Sequence, residues 1–142
     1  MTSLVIDSSV AIKWFVREPY STEACRILDQ YRIGALTMLA PDLINAEFGN
    51  VVWKKHLHQG LAAADAQSVI DEFRKLEFVW TPTSILLEQA YNLAVTHKRT
   101  VYDCLYVALS LRENCQFVTA DERLKNALNS STPNVRWLGD WT

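Results

Sequence analysis

The chain has 142 residues, 49% of them apolar or aromatic and 21% charged. That is globular composition at the length of about one domain. It is enough to bury roughly two-thirds of the unfolded surface, and it excludes a disordered or fibrous chain. Fourteen Lys and Arg against sixteen Asp and Glu leave a net charge of -2, so the overall balance shows no nucleic-acid or membrane signature, although a basic groove can hide in such an average.

In chain order, Ser3-Leu-Val-Ile-Asp7 is a short β-branched run that predicts a buried strand. Ser8 to Val16 carries apolar residues at helical spacing. Ser21 or Thr22 is placed to cap a second helix, with Ala24, Ile27, Leu28 and Tyr31 on one face. Leu36 to Leu39 reads as a strand that stops at Ala40-Pro41. Asp42 is suited to cap a long helix to about Gln59, with Gly60 at its end. Another helix runs through Leu76, and Phe78-Val-Trp80 forms a strand before Pro82. Ser84 to His97 is amphipathic, with Leu86, Ala90, Leu93 and Ala94 inward, whereas Val101 to Leu111 is apolar nearly all round and predicts a core helix. Gln116–Thr119 is a strand, Asp121 to Leu128 a short helix, Asn129 to Asn134 a surface loop and Val135–Trp137 a last strand.

No Pro/Gly/Ser-rich linker and no repeat divides residues 1–142, which are expected to form one domain. Short strands alternating with helices call for a parallel α/β sheet with right-handed crossovers. Functional groups then gather beyond the carboxyl ends of the strands. Cys25, Cys104 and Cys115 are odd in number, lack CxxC spacing and sit in apolar runs. They read as buried free thiols of a reducing cytoplasm. The N-terminus has no basic region ahead of an apolar one, and no apolar run reaches the ~20 residues that span a bilayer. The expectation is a cytoplasmic protein with no membrane partner.

Four carboxylates stand out. Asp7 directly follows the first strand and Asp121 the Phe117-Val-Thr119 strand, which puts both at the carboxyl edge of the sheet. Each is equally well placed to cap the helix that follows. Glu47 has Leu43, Ile44 and Val51 as its helical neighbours, so it lies on an apolar face. Asp103 sits within Val101-Tyr-Asp-Cys-Leu-Tyr-Val-Ala-Leu109, a run without a polar face. A buried carboxylate costs several kcal/mol unless it is paired, protonated or bound to metal. The alternative for Asp103 is a structural partner such as Arg99, Thr100 or a backbone amide.

Like charges held close repel, and a divalent cation removes the conflict. Oxygen-only ligands point to Mg²⁺ or Mn²⁺ rather than zinc. His56, His58 and His97 read as ordinary surface or cap residues. A metal held by carboxylates lowers the pKa of water and stabilises a phosphoryl group in flight, and phosphodiester hydrolysis uses both. The chain has no Gly-rich phosphate loop and no GxSxG elbow.

Val5-Ile-Asp-Ser-Ser-Val10, Asn45-Ala-Glu47, Tyr102-Asp-Cys-Leu-Tyr-Val-Ala-Leu109 and Val118-Thr-Ala-Asp121 follow one another in this order. Together they closely resemble the PIN-domain family, especially the VapC-type toxins of toxin–antitoxin systems, over essentially the whole chain. The resemblance implies an α/β/α sandwich around a short parallel sheet. It implies Mg²⁺- or Mn²⁺-dependent endoribonuclease activity on tRNA, rRNA or mRNA, a small VapB-type antitoxin that blocks the site, and a homodimer. Position by position, Asp7, Glu47, Asp103 and Asp121 match the family's acidic quartet. Asp7 and Asp103 would be the primary metal ligands, while Glu47 and Asp121 would complete the site directly or through water. Thr119 matches the hydroxyl beside the last acid. Ser8 or Ser9 stands where a small polar residue often follows the first, and Asn50 lies one turn beyond Glu47. Each of these supporting residues also reads as an ordinary strand, cap or helix residue.

Lys13, Arg17, Lys54, Lys55, Lys98 and Arg99 are candidates to rim a cleft and hold phosphates, or simply to solvate helix faces. Trp14, Phe15, Trp53 and Tyr102 are candidates for core packing, partner surfaces or base stacking. Two other readings compete with the nuclease. A non-catalytic binding module would use the carboxylates for a structural ion or a basic partner. Phosphoryl transfer through Asp7, as in receiver domains or haloacid-dehalogenase-type phosphatases, needs further acids where Ile6, Ser8 and Ser9 stand.

Overall fold

A computed structural model describes residues 2–128 and 131–142. The strands are β1 (Thr2–Ile6), β2 (Leu36–Pro41), β3 (Val79–Thr81), β4 (Gln116–Thr119) and β5 (Val135–Trp137). The helices are α1 (Ser8–Ala11), α2 (Ser21–Arg32), α3 (Leu43–His58), α4 (Ala63–Arg74), α5 (Thr83–His97), α6 (Val101–Arg112) and α7 (Glu122–Leu128). The strands form one parallel sheet in the order β3-β2-β1-β4-β5. Helices flank it in the α/β/α arrangement expected from the sequence.

The central strands explain this layering. Leu4, Val5 and Ile6, then Met38, Leu39 and Ala40, then Phe117, Val118 and Thr119 are all buried in succession. Neighbours along a strand point to opposite faces, so a strand buried at every position needs cover on both sides. Much of that cover is α6, buried without interruption from Cys104 to Ser110. The chain runs outward from β1 to β3 and then returns to place β4 on the other side of β1. The strand order therefore reverses between β1 and β4, and the crevice at their carboxyl ends is where an open α/β sheet binds its ligand. Asp7 and Asp121 stand at those ends.

Several local expectations change. The helical run after Asp7 ends at Ala11 and tightens into a 3-10 turn over Ile12–Trp14. Neither Ser21 nor Thr22 caps α2: Tyr20, with φ +68°, takes the cap position, and the Ser21 hydroxyl accepts from the Glu18 N–H at 2.9 Å instead. Asp42 precedes α3 but gives its carboxylate to the Thr83 N–H at 3.1 Å, tying the start of α3 to α5. Cys104 is buried, while Cys25 and Cys115 are half-exposed. Of the expected late loop, Asn129 and Ser130 lie outside the described residues. Ser131 and Pro133 are exposed as expected, whereas Thr132 is buried and Asn134 donates to the Ser110 hydroxyl at 2.7 Å, which ties these two to the core.

Candidate active site

Asp7 is 9% exposed and accepts three hydrogen bonds. The Ser9 hydroxyl donates to its Oδ1 at 2.5 Å, the Val10 N–H to the same oxygen at 3.3 Å, and the Thr119 hydroxyl to Oδ2 at 2.6 Å. The two hydroxyls also accept: Ser9 Oγ from the Ala120 N–H at 3.0 Å, Thr119 Oγ1 from the Asp121 N–H at 3.1 Å. They thus stitch the ends of β1 and β4 together around one carboxylate. Burial pushes the Asp7 carboxyl up to about 6 against the pull of these hydrogen bonds, with a further push from the charge of Asp103.

Asp121 Oδ1 accepts the Leu124 N–H at 3.2 Å and so caps α7, as Asp7 caps α1. Capping and a place in the site are not alternatives here. The cap bond orients each carboxylate at the sheet edge. Glu47 projects from α3 and is half-buried; the Tyr106 hydroxyl of α6 donates to its Oε1. Burial raises the Glu47 carboxyl, opposed by that bond and reinforced by the charges of Asp7 and Asp103. Tyr106 is itself buried, stacked on Phe117 at 5.6 Å between centroids. Burial and the adjacent Glu47 push its phenol far up, so it stays a donor.

Asp103 departs from its sequence reading. It lies in the first turn of α6 with its side chain 32% exposed, not sealed in an apolar run. Its N–H donates to the Thr100 hydroxyl at 3.1 Å, and a negative side chain is favoured in a first helical turn. Arg99 Nη2 is 3.4 Å from Asp103 Oδ2 and 3.6 Å from Asp121 Oδ2. The partner weighed as the alternative is present. Burial still raises the Asp103 carboxyl, with Arg99 opposing and Asp121 reinforcing.

Ser9 and Thr119 are thus brought into the site. Ser8 and Asn50 are not: neither side chain makes a hydrogen bond among the described residues, and Asn50 points to solvent. Ser8 instead lines a neighbouring cleft of about 380 Å³ with Ser9, Lys13, Lys54, Lys55 and Asp121. There Lys13 and Lys55 both pair with Glu18, Lys13 at 3.1 Å. A larger cavity of about 550 Å³ opens at the opposite end of the sheet, around Thr2, Leu36, Gln116 and Trp141. It holds none of the quartet, so charge rather than volume marks the site. Trp14 and Phe15 pack against the core, and Trp14 Nε1 donates to the Ala24 carbonyl at 2.8 Å. Trp53 and Tyr102 are exposed.

Sequence reasoning gave no role to Tyr106, although a tyrosine inside a core helix needs a partner for its hydroxyl. It named Arg99 as one of several partners for Asp103; its helical spacing to that residue is the signal.

The charge of Asp103 raises the proton affinity of Asp7, and the charges of Asp7 and Asp103 raise that of Glu47. Among the described residues, no three His, Cys, Asp or Glu side chains converge into a ready ligand cage. The oxygen-only donors and their mutual repulsion nonetheless fit a hard divalent cation. A cation already sits against two of them, in the form of Arg99.

The family model for the PIN domain matches residues 4–128. Ribonuclease VapC3 of Pyrobaculum aerophilum is 34% identical over 125 residues, covering 85% of this chain and 91% of the relative. Among solved structures, VapC20 of Mycobacterium tuberculosis, described as a sarcin-ricin loop cleaving toxin, superposes with a TM-score of 0.63 at 14% identity, over 87% of this chain and 94% of that one. VapBC2 of Rickettsia felis, bound to a DNA fragment from its promoter, gives 0.62 at 14% identity, over 96% and 97%.

Proposed function

The chain belongs to the PIN domain family, and from that premise we propose that it is a metal-dependent endoribonuclease, the toxin of a toxin–antitoxin module. The observation that carries the reading is the acidic quartet at the switch point of the sheet, with Asp7 desolvated and its neighbours electrostatically coupled to it. The names of its relatives, VapC3 above all, supply the substrate class, RNA. The VapB–VapC complex among the similar structures supports an antitoxin partner.

Asp7, Asp103, Glu47 and Asp121 are the residues that would hold Mg²⁺ or Mn²⁺. Bound there, the metal would activate water and stabilise charge on the scissile phosphate. Ser9 and Thr119 hold Asp7 in one orientation by donating to both its oxygens. Tyr106 holds Glu47 by one oxygen, Oε1. In the cleft adjoining Asp121, exposed Lys54 offers positive charge for the RNA backbone, while Lys13 and Lys55 are paired with Glu18. Residues 1–142 act as one domain in this reading, and the protein works in the cytoplasm. Among the described residues no helix is long and apolar enough to cross a membrane. Leu87, Tyr91 and Val95 form an exposed apolar stripe along α5, which supports a homodimer and is checked by light scattering.

The test is cleavage of total cellular RNA by purified chain, with Mg²⁺ or Mn²⁺, with EDTA, and with Asp103→Asn beside wild type. Discrete fragments that need both metal and Asp103 are expected. Metal binding by folded protein that leaves every RNA intact would replace this reading with the binding module.

A further inference from the structure

Arg99 lies between α5 and α6, just after Lys98 turns the chain with φ +56°. Its Nη2 is shared between Asp103 Oδ2 at 3.4 Å and Asp121 Oδ2 at 3.6 Å. Both distances exceed those of a tight charge-assisted hydrogen bond, and neither contact is the parallel two-bond fork that guanidinium and carboxylate form at their best. Its Nε is buried without a partner. The guanidinium thus neutralises two carboxylates from different elements without locking onto either. An unpartnered buried donor makes this arrangement less stable than a fully bonded one.

The oxygens that Arg99 faces belong to two of the four proposed metal ligands. A divalent cation and a guanidinium both stabilise this pair by charge, and each lowers the advantage of the other. We propose that Arg99 is a built-in counter-ion: it holds Asp103 and Asp121 near each other while the site lacks metal, and it competes with the metal for them. Arg99 then sets how tightly the site takes up its ion. This rests on the reading of the quartet as a metal site. By contrast, Lys13 and Lys55 are occupied with Glu18 and do not reach the quartet.

The experiment is isothermal titration of Mn²⁺ into the full chain, without RNA, for wild type, Arg99→Met and Arg99→Lys, with melting temperatures measured before and after metal. Methionine keeps much of the aliphatic stem and removes the charge; lysine keeps the charge. Arg99→Met is expected to bind Mn²⁺ about tenfold more tightly than wild type. It should melt lower without metal and gain more on adding it. Arg99→Lys should stay near wild type in affinity. Equal or weaker binding by Arg99→Met, with wild type binding normally, overturns the counter-ion role and leaves the metal site standing. Absence of binding by all three folded chains overturns both.

Discussion

The two halves of the acidic site are built on opposite principles. At the β1–β4 junction, Asp7 is buried and held by neutral donors, with Ser9 and Thr119 occupying both its oxygens. At the α6–α7 side, Asp103 and Asp121 are half-open to water and share one loose cation. Neutral hydroxyls orient a carboxylate without cancelling its charge, so Asp7 keeps a strong need for positive charge. A guanidinium cancels charge without imposing one geometry. The first half is a fixed anchor, and the second can exchange its partner.

Replacing the anchor gives the largest effects. Asp7→Asn should lower RNA cleavage on the order of a thousandfold or more, the effect expected of its proposed role as a primary metal ligand. The same change should raise stability at neutral pH in the metal-free chain. Burial takes the Asp7 carboxyl from 3.8 to about 6, a cost of about 3 kcal/mol for keeping it ionised at pH 7. An Asn variant that melts well below wild type would mean that the hydrogen bonds to the carboxylate outweigh its desolvation.

The same imbalance sets the pH response. Asp7 has a folded pKa above its unfolded one, so the native state binds more protons between about 4 and 6, and stability rises as pH falls through that window. Glu47 and Asp103 are shifted in the same direction. Glu18, held below its usual value by Lys55 and Lys13 against the effect of burial, acts oppositely but only below 4.5. Thermal melts of metal-free protein from pH 7 to pH 5 should therefore climb, with a shallower slope in Asp7→Asn. A flat profile in wild type would remove the distinction between the halves.

Thr119→Val deletes the donor to Asp7 Oδ2 and the acceptor for the Asp121 N–H. Chemical denaturation should show a loss of about 1–3 kcal/mol, shrinking in an Asp7→Asn background if the two residues act together. Tyr106→Phe should cost the least, about 1 kcal/mol. Phenylalanine keeps the stack on Phe117, and half-buried Glu47 can turn to water. A loss larger than that of Thr119→Val would rank Glu47, not Asp7, as the anchor.

How far each acid was legible followed from the range of the forces on it. Asp7 and Asp121 were placed by the β-branched runs before them, a local signal. Glu47 was placed by helical spacing. The apolar run around Asp103 predicts a sealed carboxylate, yet Thr100 starts the helix three residues earlier and leaves its first turn open. Ser9 and Ser8 are adjacent and chemically alike. Only the direction in which α1 leaves β1 selects Ser9 for Asp7.

Periodicity, turn residues and carboxylate spacing determined by themselves an α/β chain with a parallel sheet and its acids at one edge. Those signals are carried by residues within a few positions of each other. Tertiary structure alone decided the pairing of Tyr106 with Glu47 across 59 positions, of Thr119 with Asp7 across 112, and the sharing of Arg99 between α6 and α7. It also decided which acids are desolvated, because burial depends on what the rest of the chain packs against each carboxylate.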